Sequence, residues 1–141
     1  RTAYAAPRYD DVVQSVVEFL RERIDVAMGL GVDESQIIID PGHDLNKNTL
    51  HSLELTLRLS EVADLALPML AAVSNKDFIG ETLDLPPGQR GSGTLAALTV
   101  SAWLGARVFR VHDVSAARQA LDLVAVLRGA GQPAGTRRSL A

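Results

Sequence analysis

Three short polar clusters follow three apolar runs. Asp40 closes Gln36-Ile37-Ile38-Ile39 and leads into Pro41-Gly42-His43-Asp44-Leu45-Asn46-Lys47-Asn48. Ser74-Asn75-Lys76-Asp77 follows Leu67-Pro68-Met69-Leu70-Ala71-Ala72-Val73, and Arg107-Val108-Phe109-Arg110-Val111-His112 is followed by Asp113. The side-chain types define a chemistry. A carboxylate with a lysine opposite can hold a neutral heterocycle that carries N–H donors and a ring carbonyl. An arginine offers a flat face for stacking and forked donors for phosphate oxygens. A neighbouring histidine adds a donor to a diphosphate, and such groups stabilise negative charge as it leaves. Arg110 and His112 are two apart, so on a strand they point to the same side.

Each residue also has a plainer reading. Asp40 before Pro-Gly could start a turn. Ser74 could cap the segment after it, and Asp113 could cap the last helix in competition with Ser115. Lys76 and Arg110 could be surface charges, although both adjoin apolar runs that would pin them near strand ends. His51, three residues into a helix, reads as structural, and Trp103 among Leu98, Val100 and Leu104 reads as core or helix-interface packing. Gly91-Ser92-Gly93 lacks the strand-turn-helix context of a phosphate-binding loop. No nucleophile elbow accompanies a serine-histidine-carboxylate set.

The elements that must position these clusters follow from periodicity. From Asp10 to Gly29, Val12, Val13, Val16, Val17, Phe19, Leu20, Ile24, Val26 and Ala27 fall largely at three- and four-residue spacings. With Asp10 and Asp11 at the start and Gly29 and Gly31 at the end, this predicts an amphipathic helix of about five turns. Gln36 to Asp40, β-branched and without polar alternation, predicts a strand buried on both faces. A helix over about Asn48 to Ala66 on Leu50, Leu53, Leu57 and Val62, a strand over Leu67 to Val73, a helix over about Ser92 to Leu104, a strand over Arg107 to His112 and a helix over about Ser115 to Leu127 follow. The order α-β-α-β-α-β-α with short connections predicts an α/β fold with parallel strands. In such folds ligands gather at the carboxyl ends of the strands, where all three polar clusters lie. Arg1 to Arg8 reads as a loop or trimmed end, and 129–141 as a flexible tail.

Composition narrows the field. The chain has 141 residues, 47% hydrophobic and 22% charged, which suits a protein with a buried core. A net charge of -3 argues against nucleic-acid backbone binding. No apolar run reaches the ~20 residues of a membrane span. With no cysteine, disulfides and thiolate chemistry are excluded, and a reducing cytoplasm is the expected setting.

Ile39-Asp40-Pro41-Gly42 with Lys47-Asn48, Ser74-Asn75-Lys76-Asp77-Phe78-Ile79-Gly80-Glu81, Arg90 with Gly93-Thr94, and Arg110-Val111-His112-Asp113-Val114 resemble, in order and spacing, the carboxyl half of dihydropteroate synthase. The Asn-Lys-Asp-Phe version is most similar to the divergent second actinobacterial branch of that family. The resemblance implies a (β/α)8 TIM barrel, to which residues 1–128 would contribute about strands 6 to 8 and helices 5 to 8. The implied reaction joins a pterin methyl diphosphate to 4-aminobenzoate in folate synthesis, releasing diphosphate. By motif, Asp40 would hydrogen-bond the pterin and Lys76 would bridge the pterin and aminobenzoate regions. Ser74 would help hold the aminobenzoate, and Arg110 would stack on the pterin while reaching the diphosphate with His112. Lys76, Arg110 and His112 would be the catalytic set.

Two positions depart from the family pattern. Leu45 stands where an aromatic of a Gly-Phe-Gly-Lys pattern packs on aminobenzoate, and Asn75 replaces the arginine of Ser-Arg-Lys. The pterin and diphosphate side looks kept and the arylamine side altered. A catalytically inactive paralogue that binds a pterin or another diphosphate ligand is therefore the alternative expectation. The resemblance also implies Mg2+, held by an asparagine of an amino-terminal half that this segment lacks, and a homodimer through the late helices. A barrel needs at least ~200 residues, so the chain, which opens on Arg1, is expected to be part of a longer polypeptide.

Overall fold

The computed structural model describes residues 8–136. The expected leading loop falls almost wholly outside the described residues, as do the last five residues of the expected tail. Val12–Gly29 forms α1, capped by Asp11, whose Oδ1 accepts from the amides of Val13 and Gln14, both at 2.9 Å. Of the predicted apolar set, Val12, Val13, Val16, Val17 and Leu20 are buried, whereas Phe19 and Val26 are exposed.

The first predicted strand is much shorter than expected. Glu34–Gln36 is a 3-10 turn and only Ile39 pairs, in a parallel bridge to Met69. Ile38 is 56% exposed, which corrects the expectation of burial on both faces. The reason is positional, since among the described residues this segment is an outer edge of the sheet with a neighbour on one side only. Leu70–Ala71 (β1) pairs in parallel with Val108–Phe109 (β2), in register Leu70 with Val108 and Ala71 with Phe109. The three parallel segments therefore lie side by side in the order Ile39, β1, β2.

The predicted helix from about Asn48 to Ala66 is two helices, Thr49–Leu57 (α2) and Leu59–Ala63 (α3), divided at Arg58. Arg58 leaves the helical region and its guanidinium meets Asp11 of α1 as well as Glu54 and Glu61. Of the apolar residues that predict a single helix here, only Val62 is buried; Leu50, Leu53 and Leu57 are exposed, and it is Leu55 and Leu59 that join Val62 in one core with α1, Met69 and Ala71. Asp77–Leu83 forms α4, which periodicity did not predict. Gly91–Trp103 (α5) and Val114–Leu127 (α6) match the predicted helices within a residue or so. Val73, Phe78, Ile79, Leu98 and Ala117 make the second core, beneath β2 and between α4, α5 and α6. Trp103 is 55% exposed, so it is not a core residue; it sits on the outer surface at the end of α5 with the Arg128 guanidinium over its ring. No described helix is long and apolar enough to cross a membrane.

Candidate functional site

The loops after the three parallel segments come together. Asp40 turns the chain away from the sheet, its Oδ1 accepting from the Gly42 amide at 2.8 Å. The turn reading of Asp40 therefore holds, while its second carboxylate oxygen has no partner among the described residues and the residue is exposed. Asp40 and Lys47 line a cavity of about 900 Å³ with Phe19, Leu20 and Leu45 on its apolar wall. Lys47 is held by the carbonyls of Gly42 and Leu45 at 3.0 and 3.1 Å, and burial lowers its pKa against the opposing pull of Asp40 and Asp44.

The second cluster is tied to the first. Lys76 Nζ donates to the His43 carbonyl at 3.0 Å, so the lysine is pinned near the strand ends rather than free on the surface. Ser74 is buried and does not cap the next helix. Its Oγ accepts from the His112 amide at 3.2 Å and lies 2.8 Å from His112 Nδ1. With one proton to give and one bond already accepted, the hydroxyl can donate to Nδ1, which leaves Nε2 to carry the neutral ring's proton. Ser74 and His112 line a second cavity of about 290 Å³ with Asn75, Gly91 and Thr94, next to the first turn of α5. No side chain caps that turn.

Arg110 and His112 are both exposed, whereas Phe109 and Val111 between and beside them pack on the second core. The expected alternation along this strand is therefore present, and both polar side chains share a side. Arg110 lines neither cavity. The structure thus joins Ser74 to His112, ties Lys76 to the Asp40 loop, and leaves Arg110 exposed at the strand end. Asp113 caps α6 through the Ala116 amide at 2.9 Å, and Ser115 does not. His51 is structural: its Nδ1 accepts from the Asn48 amide in a reciprocal cap, and its ring meets Tyr9 edge-on.

Three further residues, His43 of the first polar cluster and Arg90 and Thr94 of the family-like motif, carry this geometry in supporting roles that sequence spacing does not assign. Arg90 is 7% exposed and donates to Leu85 O, Asn75 O and Asp77 Oδ1 at 3.0, 3.1 and 2.9 Å. Thr94 accepts from the Asn75 amide at 3.0 Å, and Asn75 itself is left-handed at φ 59°. His43 is 1% exposed, stacks on Phe78 at 5.9 Å and has no partner on either ring nitrogen. Spacing marks Arg90 and Thr94 as part of a motif but cannot name their partners, because each acts across loops that are distant in sequence.

Among the described residues no three His, Cys, Asp or Glu side chains gather to hold a metal ion. Asp77 meets Arg90, Asp44 accepts from Ser52 Oγ and two backbone amides, and Asp40, with one oxygen spent on its own turn, belongs to no such group. These residues do not fit a magnesium site.

The sequence matches the family described as pterin binding enzyme over residues 1–112. It is 44% identical over 133 residues to a Mycobacterium tuberculosis protein named inactive dihydropteroate synthase 2, covering 92% of this chain and 41% of that protein. It is 36% identical over 124 residues to the dihydropteroate synthase of Escherichia coli, covering 88% of this chain and 44% of that one. The fold superposes with TM-score 0.85 on the dihydropteroate synthase of Xanthomonas albilineans in complex with 7,8-dihydropteroate, at 40% identity over 88% of this chain and 49% of that one. The chain spans less than half the length of these relatives.

Proposed function

The chain belongs to the pterin-binding enzyme family, and on that premise we propose that it supplies the carboxyl-terminal part of a (β/α)8 barrel acting as a dihydropteroate synthase-like transferase. One observation carries the reading. The three parallel segments deliver Asp40, the Ser74-Lys76 turn and the Arg110-His112 pair to one end, with Ser74 joined to His112 and Lys76 to the Asp40 loop. That is the donor and acceptor set a pterin methyl diphosphate requires.

Asp40 would take the pterin ring's N–H groups on its unbonded oxygen, and Lys76 would face the ring carbonyl. Arg110 would stack on the pterin and reach the diphosphate, joined by the Nε2–H of His112. As the bond between the methylene carbon and the diphosphate oxygen breaks, its electron pair leaves with the diphosphate, where these cationic and N–H donors stabilise it. The arylamine nitrogen then forms the new bond to carbon and loses a proton. The cavity beside Ser74 lies against the uncapped first turn of α5, whose amides and dipole favour a carboxylate such as that of 4-aminobenzoate. The described residues offer magnesium no site of their own. A second copy docking on the late helices, and a cytoplasmic setting suited to a chain without cysteine, complete the proposal.

A binding-only role is the second reading. Leu45, 61% exposed on the cavity wall, gives an arylamine an aliphatic rather than aromatic face. The mycobacterial relative named inactive dihydropteroate synthase 2 favours the same reading. Incubating the full-length polypeptide with pterin methyl diphosphate and 4-aminobenzoate is expected to yield dihydropteroate. Lys76→Ala and Arg110→Ala are each expected to lower the rate by about 10- to 100-fold, the scale of a lost charged contact. No product at high enzyme concentration overturns the transferase reading. Calorimetry with the pterin diphosphate alone then decides for or against binding only.

A further inference from the structure

Asp44, in the loop after Asp40, bonds to both α2 and α4. It is held left-handed at φ 59°, a conformation that disfavours a side chain and persists only where the surroundings impose it. Its Oδ2 accepts from the Asp77 amide at 2.7 Å and the Phe78 amide at 3.3 Å, capping α4 from 33 residues away. Its Oδ1 accepts from Ser52 Oγ of α2 at 2.9 Å, and its own amide donates back to that oxygen at 3.1 Å. Ser52 is fully buried, so the α2 end of the clamp is fixed. The helix it caps has no local alternative, because Lys76 at the cap position makes no such bond. Next door, the His43 carbonyl receives Lys76. Residues 43 and 44 therefore grip residues 76 to 78 at three points, and each loop carries a site residue.

We propose that Asp44 is a positioning residue: its carboxylate locks the loop after Asp40 to the turn bearing Ser74 and Lys76, and so fixes the distance across which a pterin is held. The amide bonds of the clamp stand by themselves, and only its effect on ligand rests on the function proposed above. Asp44→Gly separates the causes, since glycine accepts the left-handed backbone without strain yet lacks the carboxylate. Asp44→Asn is the conservative variant, able to accept from both amides while its Nδ2 donates to Ser52 Oγ.

The test uses full-length protein, amide hydrogen exchange and calorimetry with pterin methyl diphosphate. In Asp44→Gly the Asp77 and Phe78 amides are expected to exchange about tenfold faster or more, and affinity to fall about tenfold, as for two lost bonds to a charged acceptor. Asp44→Asn is expected to recover most of both. Val124→Ala, which trims the core beside α6, is expected to lower the unfolding midpoint with no change in affinity. Unchanged exchange and affinity in Asp44→Gly overturn the clamp, as does a loss of affinity in Val124→Ala that matches it. If the unsubstituted protein binds no pterin diphosphate, the proposed function fails and the exchange rates alone decide the clamp.

Discussion

His43 shows how one side chain couples the site to solution conditions. Burial lowers its pKa from 6.5 to about 4, the positive charges of Lys47 and Lys76 push the same way, and Asp40 opposes them. The folded protein therefore keeps the ring neutral, while the unfolded chain takes up a proton at its ordinary pKa. Its contribution to stability is intact above pH 6.5 and lost as pH falls from there toward 4, to a limit of about 3 kcal/mol at 1.36 kcal/mol per unit. Denaturant unfolding of His43→Leu at pH 7.5 and 4.5 is expected to show a smaller acid penalty than the unsubstituted protein. Equal penalties would place the titrating group elsewhere. Ser74 makes a related point, because its hydroxyl is spent on His112 rather than on a helix end. Residue type and position along a strand made both Ser74 and His112 visible in the sequence. The bond between them spans 38 residues and could not be read there.

At the scale of elements, α4 and α5 meet through glycine. A Cβ at Gly80 would overlap the guanidinium of Arg90, which is itself pinned by three acceptors, and a Cβ at Gly93 would come within 2.6 Å of Ile79. Gly80→Ala would gain up to about 1 kcal/mol in helix propensity but would overpack this contact, which costs typically about 1 to 3 kcal/mol. Thermal unfolding is expected to show a net loss, with lower affinity at the Ser74-Lys76 turn that Arg90 supports. A more stable variant with full affinity would mean that Arg90 is not a rigid prop. The helices α1 and α6 were legible because their caps and apolar stripes are local, and α5 because it is a long apolar run between breakers rather than through a stripe or a side-chain cap. The helix α4 was not, since its cap is Asp44 from another loop, and seven residues are too few for periodicity to speak.

For the molecule as a whole, the unpartnered surfaces set the next questions. The pair α5 and α6 packs closely yet leaves Trp103 55%, Leu123 60% and Leu127 65% exposed. Exposed apolar side chains of this kind fit the docking of a second copy proposed above. The combined Trp103→Asp and Leu123→Asp variant is expected to sediment as a lighter species at tens of micromolar while keeping its helix content. An unchanged sedimentation coefficient would remove these helices from the interface.

The sequence alone determined the α/β alternation, the ends of three parallel segments and the residue types placed there, because periodicity, breakers and strand-end polarity act over a few neighbours. It also carried the family likeness, through motifs in fixed order. Tertiary structure alone decided that the strand ladder is short, that Ile38 lies at an edge, that Ser74 serves His112, and that Asp44, Arg90 and His43 hold the loops. Each of those outcomes depends on a partner tens of residues away, and a contact of that kind exists only once the chain has closed on itself.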